Sequence, residues 1–437
     1  MTLTPLVLVL LLLYGVPVAL ALEPRLRGAT LAGTAFLLGA GAAWAHLFLL
    51  SALRVPWSRT SVILAMAPLF ALAVTVILSR GDGEGPRGKN ADRSVGRGSF
   101  AVFAAQDDRV RVLDAVTIAI VVAYAIFALW APPYEWDFYG IWGLKARWFF
   151  DTKGLDWSTV PYIGKADYPV LMPLLFDFVA VMTKTWNDVT FGWVYVFLCA
   201  SVLAIIRGMF ADEVKHPALA TLAIAFPTLN LWVGLAEAGV MAFGCAGLFF
   251  LRRGSIALGA VMLGLAASSK NEGLALIGVA ALALLVTTRS LRKVLQLWPA
   301  VAIVVPWMIA RAVLKLSTDF TDQSMVSRIL GRLRNPSEVL DAFVKAPPDQ
   351  PWFWLAVLAA VLVFLREAIR REAFLLIAVT LQLGLMFAQA LATPWDFASH
   401  VSLTLNRLPH QIAPAAGFLA TVILSRVWPA QDDSTGS

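Results

Sequence analysis

Residues 131 to 173 read APPYEWDFYGIWGLKARWFFDTKGLDWSTVPYIGKADYPVLMP, and they gather the side chains best able to do chemistry. Almost all the rest of the chain is apolar runs, whereas here carboxylates, lysines and tryptophans come directly after one. Two acids stand out by context. Asp137 lies inside the aromatic cluster Trp136, Phe138, Tyr139 and Trp142. Asp167 lies in Lys-Ala-Asp-Tyr-Pro, where Pro169 restricts Tyr168 to extended geometry and opens the next helix. Three more features stand further along: Glu237 between two apolar runs, Lys270-Asn271-Glu272 between two others, and Arg407 before the last. A carboxylate near a membrane surface can accept a proton from a hydroxyl nucleophile, and a second can orient the acceptor or hold a divalent metal. Cations at the same depth, with Lys270, Arg328 and Arg407 as candidates, neutralise charge that develops on a departing phosphate.

Each of these residues also has a purely structural role open to it. Asp137 can cap a surface helix, Asp167 can be a turn residue, and Glu237 can cap the second helix of a hairpin. Lys270 and Glu272 can form an ion pair, and Arg407 can snorkel to the interface. Arg328, Arg332 and Arg334 together read as a solvated face, which leaves them outside the site.

The elements that must position these groups are set by composition. Of 437 residues, 59% are hydrophobic and 14% charged, against roughly 25% charged in a soluble globular chain. Mean hydropathy is +0.75, so the class is a polytopic membrane protein. Cys199 and Cys245 both lie in apolar runs without a cysteine neighbour, which excludes a disulfide framework or zinc site. The net charge of +7 does not point to nucleic acid. The basic residues punctuate hydrophobic runs, the pattern of the positive-inside rule.

Residues 6 to 22 form the first run, and no Lys or Arg precedes Arg25. It lacks the n-region of a signal peptide and reads as a retained helix with Arg25 and Arg27 on the cytoplasmic side. Runs over 29 to 53, in which His46 reads as a packed residue, and 61 to 78 complete a three-helix N-terminal part, residues 1 to 79. Residues 80 to 111, with GDGEGPRGKNADRSVGRG at their centre and seven Lys and Arg, read as a flexible cytoplasmic linker. The body is expected over 112 to 427, with a polar tail from 428 to 437.

With the linker inside, residues 112 to 130 run outward and put 131 to 173 on the outer face. There the spacing of Asp137, Ile141, Leu144 and Trp148 predicts an interfacial helix. Residues 170 to 186 are apolar but short, and hold Pro173 and Asp177. They are placed on the surface, because a crossing there would put every later basic cluster outside. The expectation is an all-α protein of about 13 transmembrane helices, about ten of them after the linker, with interfacial helices in the outer loops. Glu237, the 270 to 272 joint, a loop over 315 to 350 with a helix over 336 to 345, and a last segment holding Asp396, His400, Arg407 and His410 then share the outer face. No internal repeat is evident, which weighs against an inverted-repeat transporter.

The stretch Trp136-Asp137-Phe138-Tyr139-Gly140-Ile141-Trp142 with Lys145 and Arg147, then Asp167-Tyr168-Pro169, Leu235-Ala236-Glu237, Ser269-Lys270-Asn271-Glu272-Gly273 and Arg407 give a pattern across most of residues 112 to 426. It resembles the GT-C superfamily of polyprenyl-phosphate-sugar glycosyltransferases, most closely the protein-mannosyltransferase and lipopolysaccharide branch. In that superfamily the acid in the first outer loop is the catalytic base or a metal ligand, and the matching position here is Asp137. The resemblance implies Asp137, Asp167 and Glu237 as catalytic residues and Lys145, Tyr168, Lys270, Glu272 and Arg407 as substrate-binding residues, with Lys270 and Arg407 on the donor phosphate. Glu237 stands where the family often has Asp. The three N-terminal helices are not required by the superfamily plan, so their role stays open.

The resemblance implies a multi-pass enzyme of the bacterial inner membrane with its site facing the periplasm or exterior. It would move a sugar from a polyprenyl-phosphate donor to a hydroxyl on a lipid, glycan or protein acceptor. That plan requires no cofactor and is compatible with a divalent metal; its partners include membrane lipids and exclude nucleic acid. A tryptophan near Asp137 could stack on the sugar. Two other classes stand beside it. A glycan polymerase or ligase using a lipid-diphosphate donor would depend more on outer-loop arginines, and a transporter or flippase would spread polar residues through the midplane.

Overall fold

The computed structural model describes residues 3–83, 108–130, 133, 135–229, 233–316 and 324–427. The centre of the expected linker, 84–107, and the expected tail, 428–437, lie outside the described residues. Every regular element among the described residues is a helix. Before the linker come α1 (Thr4–Leu22), α2 (Gly28–Ala52) and α3 (Arg59–Gly83), and after it α4 (Asp108–Trp130). The ends of the expected linker are therefore helical. A π turn over Phe138–Trp142 leads into α5 (Gly143–Thr152), and then come α6 (Leu171–Thr183), α7 (Gly192–Glu213), α8 (Pro217–Thr228), α9 (Glu237–Arg252), α10 (Ile256–Ser269) and α11 (Asn271–Thr288). A short α12 (Leu291–Leu295) precedes α13 (Trp298–Val313), α14 (Met325–Leu333), α15 (Pro336–Lys345), α16 (Pro351–Val363), α17 (Leu365–Arg371), α18 (Ala373–Ala392), α19 (Phe397–Leu405) and α20 (Ala413–Val427).

Seven helices are long and apolar enough to cross a membrane, and nine spans result if the bent pairs α16 with α17 and α19 with α20 each count as one. The other expected crossings fall on α8, α9, α10 and α13, which have 12, 16, 14 and 16 residues. Each is shorter than the ~20 residues a lone span needs. Packing explains how short pieces are tolerated: α9 and α10 are almost wholly buried in protein, where the backbone does not have to satisfy itself against lipid in one unbroken helix.

The N-terminal helices are not a separate bundle. Helix α2, GATLAGTAFLLGAGAAWAHLFLLSA, is rich in small residues, and they let it press backbone to backbone into the body. A side-chain carbon at Gly33 would collide with the Ser201 carbonyl of α7, and one at Gly39 with the Leu11 carbonyl of α1. One continuous apolar core accordingly runs from Leu8 and Phe36 through Phe176, Phe210 and Phe249 to Phe418. His46 is packed among these helices, bonded to the Ala42 carbonyl.

Chain direction is set by contacts at helix ends. Arg207 of α7 pairs with Asp114 near the start of α4 at 2.8 Å, while Gly192 at the start of α7 lies against Ala128 near the end of α4. The two are antiparallel, so α7 starts at the end of the body where α4 delivers Asp137. Helix α6 therefore begins and finishes at that one end and does not cross. It is not a surface helix, however: all but its last two residues are buried, because apart from Asp177 it is apolar around its whole circumference. The expected amphipathic helix divides into the π turn and α5. Phe138, Trp142, Ala146 and Phe149 face inward, and Leu144 and Trp148 face outward.

Candidate functional site

Four stretches distant in sequence converge where α4 ends. Asp137 opens the π turn, a geometry that redirects side chains within a helix. Glu237 is the first residue of α9, and Glu272 lies in the first turn of α11, so both carboxylates sit on the favourable end of a helix dipole. Lys270 is extended between α10 and α11. That joint is tight: a side-chain carbon at Gly273 would collide with the Ala266 carbonyl. Arg407 lies between α19 and the 3-10 turn Leu408–Gln411, just before the 56° bend into α20.

These residues form one chain of alternating charge. Arg407 Nη1 donates to Asp137 Oδ2 at 2.7 Å, and its Nε lies 3.5 Å from Glu237 Oε1. Lys270 Nζ lies 2.9 Å from Glu237 Oε1 and 3.2 Å from Glu272 Oε1. Gln389 of α18 donates to the same Glu272 oxygen at 3.4 Å. The second oxygens of Glu237 and Glu272 are buried with no hydrogen-bond partner. Such orphaned carboxylate oxygens are rare in satisfied structural networks.

Of the eight expected site residues, Asp137, Tyr168, Lys270, Glu272 and Arg407 line a cavity of about 300 Å³. Glu237, fully buried, meets it only through Lys270 and Arg407. Asp167 does not line it; its Oδ2 accepts from the Asn271 amide at 2.9 Å. Lys145 is buried beneath the same loop, and its Nζ donates to the carbonyls of Lys165 and Tyr168 at 2.6 and 3.2 Å. Burial pushes its ammonium down to about 7, against the pull of Asp167. A neutral amine has two N–H groups, which match the two carbonyls. Lys145 thus clasps the loop that presents Tyr168, whose ring stacks on Trp142 with centroids 5.4 Å apart. Burial raises the Tyr168 phenol further above its usual range.

Several cavity residues carry no signal in the sequence. Lys165 stands 4.7 Å over the Trp395 ring and joins the first loop to the last across the mouth. Gln389 and Ser399 are equally silent, since single amides and hydroxyls in apolar helices have no pattern of their own. A second space, an apolar groove of about 520 Å³, opens beside the first and shares Tyr168, Glu272 and Gln389 with it. Arg328 and Arg332 of α14 do not reach the polar cavity. They donate to the Ala392 and Leu391 carbonyls at the end of α18, at 2.9 and 2.6 Å, capping that helix.

Arg407 and Lys270 pair with the acids that a divalent ion would use. Among the described residues no three of His, Cys, Asp and Glu converge as metal ligands. Chemically the cavity offers carboxylates and fixed cations next to an apolar groove. Comparison with family models, with curated proteins and with solved structures finds no match to this chain.

Proposed function

We propose that the protein is a membrane glycosyltransferase that moves a sugar from a polyprenyl-phosphate donor to an acceptor hydroxyl, at the outer face of a bacterial inner membrane. The observation that carries this reading is the junction of the two spaces: a chain of acids and cations from Asp137 to Glu272 borders a polar cavity that merges with an apolar groove. A lipid-linked sugar needs such a pair of neighbouring environments, one for its tail and one for its reacting end. On this reading α8, α9, α10 and α13 complete the count to about 13 crossings, and the basic clusters lie on the cytoplasmic side.

The step is an inverting displacement. The acceptor O–H gives its proton to Asp137, whose Oδ1 is left to accept it because Arg407 holds Oδ2. The acceptor oxygen bonds to the anomeric carbon as the bond to the phosphate oxygen breaks, and the electron pair leaves on the lipid phosphate. Arg407 holds Asp137 in place, Glu237 holds Arg407 and Lys270, and Lys145 with Asp167 and Asn271 fixes the loop bearing Tyr168. A lipid-diphosphate donor would call on outer-loop arginines, and Arg328 and Arg332 are spent on capping α18.

The test is Asp137→Asn in cells. Glycan product should fall by about 100-fold or more with the amount of folded protein unchanged, and the missing sugar on lipopolysaccharide, lipid or protein identifies both substrates. Unaltered product would remove Asp137 from the reaction.

A further inference from the structure

The apolar groove holds one cation that the sugar-transfer step does not use. It is bounded by α11, α13, α14 and α18, with Ala275, Met325, Ile329 and Met386 in its walls, and Leu274 and Leu385 at its edge are 38% and 43% exposed. The groove therefore reaches the surface that lipid would cover. Arg311, near the end of α13, is the one cation among the described residues that line it. Its Nε donates to the Leu316 carbonyl at 3.2 Å, and it forms no ion pair with any described residue. A guanidinium in an apolar wall gains from an anion that joins it, because little water competes there.

A second, independent feature points into the same space. Gln382 is 2% exposed, and its amide oxygen is buried without a partner. It shares a helical face of α18 with Met386 and Gln389, and all three line the groove. Buried amides are normally satisfied, so an unsatisfied one on a residue that lines the groove marks a place for a polar ligand atom. Lys270 and Arg407 are each already held by two acids, which leaves them less free for that anion than Arg311. The wall shared with the polar cavity carries Glu272, whose Oε1 is held by Lys270 while its Oε2 has no partner, and that oxygen disfavours a second negative charge beside it.

We infer that Arg311, with Gln382 beside it, binds the phosphate of the lipid donor, and that this single guanidinium facing an acidic wall selects a lipid monophosphate over a diphosphate. The inference rests on the sugar-transfer reading of the adjoining cavity and assigns its donor subsite. One planar fork pairs with one phosphate. With the phosphate there, the tail lies along Met386 and Ile329, and the attached sugar faces Tyr168 and Glu272. A second phosphate would have to stand against Glu272.

The experiment uses the full chain in nanodiscs of zwitterionic lipid and measures binding of undecaprenyl phosphate, undecaprenyl diphosphate, undecaprenol and phosphatidylglycerol. Wild type should prefer the monophosphate to the alcohol by about tenfold or more, and to the diphosphate and phosphatidylglycerol as well. Arg311→Ala should bind monophosphate and alcohol alike, Arg311→Lys should keep part of the preference, and Gln382→Leu should weaken it. An unchanged preference in a folded Arg311→Ala protein overturns the assignment and leaves sugar transfer standing. Equal binding of phosphatidylglycerol makes the groove an ordinary anionic-lipid site, and equal binding of the diphosphate ends the claim of selectivity. If Arg311→Ala does not fold, wild-type ligand preference and Gln382→Leu decide the matter. A wild-type protein that binds no isoprenoid phosphate sinks the sugar-transfer reading itself.

Discussion

Among the described residues two ionic clusters stand at opposite ends of the helical body, and they are built differently. Away from the cavity, Arg252 donates to both oxygens of Glu213 at 2.9 and 2.6 Å and to both oxygens of Glu372 at 2.6 and 2.7 Å. Arg426 adds a bond to Glu372 at 2.7 Å, and Arg253 pairs with Glu213 and Asp212. Every oxygen of Glu213 and Glu372 is engaged, and the cluster ties the ends of α7, α9 and α20 to the start of α18. At the cavity end the same residue types leave Glu237 Oε2, Glu272 Oε2 and Arg407 Nε buried without a hydrogen bond. A closed network has nothing left to offer a ligand, and its worth is the geometry it holds. An open one keeps binding capacity at a cost in stability, which is the usual signature of a working site.

The comparison can be broken by removing one member from each cluster. Arg252→Met removes four charge-assisted hydrogen bonds, leaving Glu213 to Arg253 and Glu372 to Arg426, and should cost roughly 3 to 5 kcal/mol. Thermal unfolding of the purified protein would read this as a large drop, while transfer per folded molecule stays normal. Glu237→Gln should cost less, roughly 1 to 3 kcal/mol, because Lys270 keeps Glu272 and Arg407 keeps Asp137, yet transfer per folded molecule should fall. If Glu237→Gln unfolds the protein as badly as Arg252→Met and the surviving molecules transfer normally, the cavity cluster is structural and the contrast is void.

A smaller effect sharpens it. From about pH 7 up to the ordinary lysine value of 10.5, the unfolded chain keeps a proton at position 145 that the folded chain has released. The destabilisation from burying a charged Lys145 is therefore complete below pH 7, absent above pH 10.5, and shrinks as pH rises through that window, by about 1.4 kcal/mol per pH unit for one proton. Lys145→Met should remove this slope, so the melting temperature of wild type gains on that of the variant from pH 7 to 10. A difference independent of pH would mean that Lys145 stays charged in the folded protein.

Much of the site end is legible in the sequence. Run lengths and the spacing of basic residues put Asp137, Glu237, Lys270 and Arg407 at one level, and the helix over Pro336–Lys345 has its expected bounds. Other features are not. The small residues of α2 are a signal of close packing, but only contact with α1 and α7 turns them into an integral helix. The basic clusters show that helix α6 does not cross, but charge placement cannot separate a surface helix from one packed in the core. Arg311 reads as a helix-end cation and Gln382 as a polar interruption. Nothing local links positions 311 and 382, although the 382, 386, 389 spacing is there to be seen.

By itself the amino-acid order determined that this chain makes apolar helices, where its polar joints fall, and which acids and cations those joints carry. Those properties are local, set by side-chain hydrophobicity and by proline and glycine. The pairing of Asp137 with Arg407, 270 positions away, was decided only by the tertiary structure. So were the closed state of one cluster, the open state of the other and the groove beside it. Satisfaction of a buried charge depends on what packs against it, and that is a property of the whole fold.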